Sequence, residues 1–291
     1  MPHTHWEDFS FDGIGTRWDV STPVPLNPSV RVRLLALVER YDADWSRFRE
    51  DSTVGAMARR AGRYEMPGEA IALGGLYSSL YEISGGAMTP LIGGSLERLG
   101  YDARYTLRPA GEALPALRWE DVLDWDGRVL TTSVPLVLDI GAAGKGMLVD
   151  LLADELRSCG VDTFLVDASG DLLNGSSEPL SVALEHPYDS SKAIGTMQLP
   201  GGMSLCASAS NRRSWGDGLH HVLDGTTGRP VRTAVATWAM AESALLADGL
   251  ATALFFVPGA DLEKTFDFSW LTVFSDGSAA YSAGFEGTLF T

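Results

Sequence analysis

Cysteine is nearly absent: the chain has two, Cys159 and Cys206, in 291 residues. Neither stands in a paired metal-ligand spacing, so a disulfide framework and a cysteine-rich zinc site are excluded and two free thiols are expected. Positive charge is scarce as well. The 22 Lys and Arg face 38 Asp and Glu, for a formal net charge of −16. A surface this acidic excludes nucleic acid and anionic membrane as general partners. Long apolar runs are missing. The longest is interrupted by Glu242 and Asp248, so no bilayer span and no membrane insertion are expected. The opening Met-Pro-His-Thr-His-Trp-Glu-Asp lacks a basic stretch followed by an apolar one. No leader is therefore expected, and a cytoplasmic location is.

What is present suffices for a sizeable core. Apolar residues make up 45% of the chain, and no linker or repeat divides it, so a single domain over 1–291 is expected. Helical spacing of apolar residues predicts helices over 28–41, 69–83 and 147–159, the second closed by Ser84-Gly85-Gly86. Gly13-Ile14-Gly15-Thr16 reads as a turn into a strand, and Asp126-Gly127 and Asp276-Gly277 read as hairpin turns. Leu136 to Ile140 reads as a buried strand. With the following loop, helix and strand at 163–167 it suggests a βαβ unit. Further strands are expected at 180–185, 194–198, 203–207, 219–223, 235–238 and 271–274. The mixture points to an α+β fold with a mixed sheet.

Four groups of residues could carry chemistry. Ala239 to Val257 reads as one long helix with Asp248 and Thr252 on one face, beside Leu245, Ala251 and Phe255. An ionised carboxylate on such a face costs several kcal/mol unless compensated. A carboxylate and a hydroxyl are hard oxygen donors suited to Mg²⁺, while a distant Arg or Lys is the plainer partner. Leu138 to Gly146, running from strand to helix, is rich in Gly and Ala and carries Lys145. Such a turn suits phosphate at a helix start, or serves structure alone; its spacing is not that of a Walker A loop. His220 and His221 would face opposite sides of a strand, leaving one free to act as a base, or both structural. Trp45 and Phe48 flank Ser46-Arg47 and could stack on a planar ring or simply pack.

Taken in order, these segments resemble the FAD:protein FMN transferase family, the ApbE-type flavin transferases. Ile14-Gly15-Thr16 is similar to its Met-Gly-Thr, and Ser46 to Ser52 to its Ser-x-Tyr/Phe-x-x-x-Ser loop. Gly86-Ala87-Met88-Thr89-Pro90 resembles Gly-Ala-Phe-Asp-Pro, and Leu138 to Asp150 resembles Leu-Asp-Leu-Gly-Gly-Ile-Ala-Lys-Gly followed by an Asp. Asp167 to Asp171 resembles a Gly-Gly-Asp turn, His221 to Pro230 His-Ile-Ile-Asp-Pro-x-Thr-Gly-x-Pro, and Ala247 to Leu254 Ala-Asp-Ala-Leu-Ala-Thr-Ala-Leu. The resemblance implies a T-fold-like α+β architecture with a flavin cleft between two intimately joined lobes. It implies Mg²⁺-dependent transfer of FMN from FAD to a Thr or Ser of a target protein, with release of AMP. The same residues would serve an FAD pyrophosphatase or a non-catalytic FAD-binding protein. By position, the resemblance makes His221 and Asp248 catalytic, and gives the metal the Gly144 carbonyl, Asp248 and Thr252. It puts Ile14, Gly15, Thr16, Phe48, Gly141, Lys145, Asp150, Asp171 and Ser208 at the flavin substrate. Three departures stand out. Thr89 replaces a carboxylate, Gly144 replaces the usual Ala, and Ala207-Ser208-Ala209 replaces Thr-Ser-Gly, where Ala209 would be strained if the glycine serves a positive φ.

Overall fold

A computed structural model describes residues 6–290. The first residues of the stretch read above as lacking a leader lie outside the described residues. An eight-stranded sheet organises the chain: β1 (Glu7–Gly13), β2 (Thr16–Thr22), β3 (Leu165–Asp167), β4 (Asp171–Asn174), β5 (Ser204–Ala209), β6 (Ala234–Ala241), β7 (Ser269–Phe274) and β8 (Ala279–Tyr281) lie side by side in chain order. Each neighbouring pair is antiparallel. The α+β architecture is as expected, with strand directions more uniform than a mixed sheet.

The βαβ unit does not form. Leu136 to Ile140 is irregular backbone, because its donors are used elsewhere: Leu136 N–H donates to Met57 O and Asp139 N–H to Pro90 O. The alternation that suggested a strand is real as burial, since Leu136, Leu138 and Ile140 all point into the core. Downstream, Ser169 (φ 56°) and Gly170 (φ 110°) turn the chain sharply, so β3 and β4 form a hairpin.

Four helices cover one face: α1 (Pro28–Trp45), α2 (Ala70–Ile83), α3 (Gly144–Ser158) and α4 (Ala244–Ala253). Asn27 caps α1 by accepting from Ser29 N–H at 3.0 Å, with Pro28 at the first helical position. Val30, Leu34, Val38, Tyr41 and Trp45 form its buried stripe. The helix thus continues past the expected end at Tyr41, and Thr53–Arg59 adds a short helix that the sequence reading did not include. The expected helix over 239–257 is two elements. Ala239 to Ala241 complete β6, paired to Trp270 and Cys206, and Ser243 then caps α4 by accepting from Leu246 N–H. An alanine-rich run has little strand or helix period of its own, so the ladder decides. α3 and α4 pack closely: a Cβ on Gly146 would lie 2.1 Å from Ala244 O.

β6 is buried throughout because the sheet is covered on both sides. Cys206, Ala239 and Ala241 face the main core, which runs from Trp18 to Trp270. Leu205, Ala236, Trp238 and Met240 face a second core beneath a small sheet of Leu180–His186, Asp189–Leu199 and Gly287–Leu289. Among the described residues, no helix is long and apolar enough to cross a membrane, and Cys159 and Cys206 are free thiols.

Candidate active site

A cavity of about 650 Å³ opens where the β1–β2 turn, the end of α1, the 87–105 segment, the 139–145 loop, the end of β5 and α4 meet. Ile14, Gly15, Thr16, Phe48, Gly141, Gly144, Lys145, Ser208, His221, Asp248 and Thr252 all line it. The β1–β2 turn carries positive φ at both central residues, Ile14 (43°) and Gly15 (77°). That is the two-residue hairpin geometry matched to strand twist. A β-branched residue there is strained, and the strain sits at the cavity wall.

Asp248 is 5% exposed. Its Oδ2 accepts from Gly146 N–H at 2.8 Å, in the first turn of α3, where the helix dipole favours negative charge. Among the described residues Oδ1 receives no hydrogen bond and no cation lies within ion-pair distance. Lys145 is committed elsewhere: its Nζ is 3.1 Å from Asp171 Oδ2 and donates to Ala168 O at 3.0 Å. Burial first, then the Asp171 charge, raise the Asp248 pKa well above the ordinary carboxylate range, against the pull of Lys145 and of Gly146 N–H. Burial alone lowers the Lys145 pKa, but Asp171 and Asp248 outweigh it and the ammonium stays charged.

The oxygens around Asp248 suit a hard cation. Among the described residues, no group of three His, Cys, Asp or Glu could hold a metal ion. A hard cation would therefore rely on one carboxylate and neutral oxygens, leaving positions for phosphate and water. Thr252 Oγ1 lies 3.3 Å from Ala142 O, and Gly144 O accepts from the buried Tyr41 hydroxyl at 2.7 Å. A carbonyl oxygen has a second lone pair to offer. Burial keeps Tyr41 neutral, hence a donor. Removing that hydroxyl in Tyr41→Phe is expected to cost about 1 kcal/mol of stability; urea unfolding measures it.

His220 and His221 diverge as expected. His220 Nε2 lies 2.8 Å from Val231 O beside a separate cavity of about 380 Å³. His221 faces the main cavity, with a buried Nδ1 that has no hydrogen-bond partner among the described residues. Burial, then the charges of Arg213 and His220, lower its pKa to about 3.

Asp150 and Asp171, expected at the ligand, do not line the cavity. Both oxygens of Asp150 accept backbone N–H groups at the start of α4, from Ala244 (2.8 Å) and Leu245 (2.9 Å). Asp171 is fully buried against Lys145. Each carboxylate is committed to positioning a neighbour of Asp248. Trp45 ends α1 in the core, stacked on Trp125 at 6.1 Å, with its edge at the cavity wall.

The sequence model of the ApbE family matches residues 14–268. The chain belongs to this family. Among curated relatives, the FAD:protein FMN transferase of Vibrio cholerae is 30% identical over 227 residues, 74% of this chain and 66% of that protein. One of the same name from Rhodobacter capsulatus is 30% identical over 185 residues, 59% of this chain and 35% of its own length. The chain thus spans less than two thirds of these relatives. Among solved structures, the ApbE protein of Thermotoga maritima superposes with a TM-score of 0.81 at 23% identity, covering 97% of this chain and 99% of that one. The flavin transferase ApbE of Vibrio cholerae gives 0.77 at 19%, covering 96% of each. These likenesses establish the ApbE fold.

Where the chain departs from the family motifs, the residues present have local structural roles. Thr89 Oγ1 accepts from Leu91 N–H at 3.1 Å, so it caps the Pro90–Ile92 turn. Ala209 is not among the positive-φ residues; it pairs with Ala236 inside β5. At Gly144 an added Cβ would sit 2.7 Å from Ile140 Cδ1 and 3.3 Å from the Tyr41 hydroxyl. Glycine and tyrosine therefore fit each other here.

Sequence reading found Phe48 but missed the two tyrosines that make it part of an aromatic wall. Phe48 stacks on Tyr105 at 5.1 Å and meets Tyr101 edge-on, with the Arg47 guanidinium 4.1 Å from its ring centroid. Arg47 Nε in turn holds Asp139 Oδ2 at 2.5 Å, and Asp139 Oδ1 accepts from Gly141 N–H. Arg213 also reaches the cavity. Tyr101 and Tyr105 lie in a stretch without period, and no local pattern announces them.

Proposed function

We propose that this chain transfers FMN from FAD to a Thr or Ser hydroxyl of a target protein and releases AMP, using Mg²⁺. The observation that carries the reading is Asp248: a buried carboxylate with no direct cation partner among the described residues, sharing one cavity with His221 and the Gly-rich loop at Gly141 to Lys145. The names of the curated relatives support the same activity. Asp248, Thr252 and the Gly144 carbonyl would hold Mg²⁺, which supplies charge neutralisation and a template at the diphosphate when bound. Tyr105, backed by Phe48, offers a ring face for the flavin or adenine, and Ile14 to Thr16 with Ser208 close the walls.

His221 takes the proton from the acceptor hydroxyl. The freed oxygen attacks the phosphorus on the riboflavin side, a new P–O bond forms, and the bond to the bridging oxygen breaks so that AMP departs with the electron pair. Positioning and charge stabilisation dominate such a step. We further propose that residues 1–291 act as one catalytic domain, supported by the continuous core from Trp18 to Trp270. A cytoplasmic setting, supported by the two free thiols, completes the proposal.

The test incubates the chain with FAD, Mg²⁺ and a candidate acceptor, then weighs the acceptor by mass spectrometry. An added FMN mass is expected. An unmodified acceptor with FMN accumulating in solution would point to the pyrophosphatase, and intact FAD to a binding protein.

A further inference from the structure

Five basic side chains reach the cavity of a chain whose formal charge is −16. Four are matched by acids: Arg47 by Asp139, Arg49 by Glu39, Asp42 and Asp51, Lys145 by Asp171, and Arg212 by Glu185. Arg213 differs. Among the described residues it has no carboxylate within ion-pair distance, and its side chain donates instead to the hydroxyl of Tyr101 at 2.9 Å. Tyr101 is a fixed prop: its ring stacks on Trp215 at 5.5 Å, whose Nε1 donates to Leu99 O at 2.8 Å. One arm of the guanidinium is thus anchored while the side chain stays exposed to an incoming ligand. The Arg213 charge also acts on both His221 and Asp248, favouring their less positive forms, so the guanidinium lies in the field of both proposed catalytic residues.

An acidic protein that leaves one arginine uncompensated at its cavity has a ready anion site. A planar guanidinium offers paired N–H donors that match two phosphate oxygens. We propose that Arg213 is the diphosphate clamp of this cavity and makes it select dinucleotides over flavins that lack phosphate. The proposal rests on the FAD reading above and names the side chain that recognises the part of FAD that is cleaved.

The test measures flavin binding by fluorescence quenching, in EDTA so that no metal contributes. Wild type, Arg213→Gln, Arg213→Lys and Arg33→Gln are compared, the last removing one charge far from the cavity. For Arg213→Gln the Kd for FAD is expected to rise roughly ten- to a hundredfold, as for loss of a charge-assisted hydrogen-bond pair. Arg213→Lys should fall between, and riboflavin should bind all four within about twofold of one another. Equal loss of FAD and riboflavin in Arg213→Gln would make Arg213 a mere support for Tyr101 and overturn the clamp, as would no loss of either. If wild type binds no FAD either in EDTA or with Mg²⁺ added, the flavin reading fails separately. Inorganic pyrophosphate titrated by calorimetry then decides the clamp: binding lost in Arg213→Gln sustains it, and binding unchanged or absent in wild type overturns it.

Discussion

Replacing Asp248 by asparagine is expected to abolish turnover while leaving the metal-free protein at least as stable as wild type. The two effects have one cause. The Asp248 pKa is raised well above the ordinary range by burial and then by Asp171. An acid raised in the folded state holds its proton longer there than in the unfolded chain. Its contribution to stability is fully present below the unfolded pKa of about 3.9 and is lost as pH rises through the folded value. Near neutral pH an unpaired Asp248 carboxylate therefore weakens the fold, and asparagine, of the same shape, removes that penalty. In EDTA, Tm of Asp248→Asn should equal or exceed that of wild type at pH 7, with less decline as pH rises above 4. Asp150, raised to about 6 mainly by burial, contributes its own decline in the same direction, so the difference between the two proteins is the reading that counts.

Adding Mg²⁺ turns the comparison around. A cation that binds only the folded state stabilises it, by about 2.7 kcal/mol at a hundred times its Kd. Wild-type Tm should rise with Mg²⁺ and that of Asp248→Asn should not, while FMN transfer falls at least about a hundredfold. An equal Tm response in both proteins would remove Asp248 from the metal site.

The sequence announced the cavity better than the sheet that builds it. Motifs at Ile14 to Thr16, Asp139 to Gly146, His221 and Asp248 are local, and local residues carry their chemistry wherever the chain places them. Strand direction is not local. Leu136 to Ile140 and Leu165 to Asp167 look alike in composition, yet one is a loop bonded to Met57 and Pro90 and the other a strand between β2 and β4. Asp150 and Asp171 misled for a related reason: a motif shows that a carboxylate stands there, not whether a helix start or Lys145 has already taken it. The turn at Glu242-Ser243 carried a readable signal, a serine before an apolar run, but the alanines on both sides concealed it. Tyr101, Tyr105 and Arg213 had none, because their grouping depends on contacts such as Arg213 to Tyr101, 112 positions apart.

Replacing His221 by alanine is expected to lower FMN transfer by roughly 10²- to 10⁴-fold, the range of a lost general base, and to leave FAD binding in place. Its pKa, lowered to about 3 mainly by burial and then by Arg213 and His220, keeps the ring unprotonated across the physiological range, though a weaker base than a solvated imidazole. The sign for stability is opposite to that of Asp248. A base depressed in the folded state binds its proton more readily when unfolded. Its contribution is present above the unfolded value of about 6.5 and is lost as pH falls toward the folded one. Wild type should lose stability between pH 6.5 and 3, and His221→Gln, which has no proton to gain, should lose less. The activity profile follows: in wild type no acid limb above pH 4 belongs to His221. An NMR titration of the ring protons tests both statements at once. A midpoint near 6.5 in the folded protein would show a solvated imidazole, and an acid limb near that pH would then belong to His221.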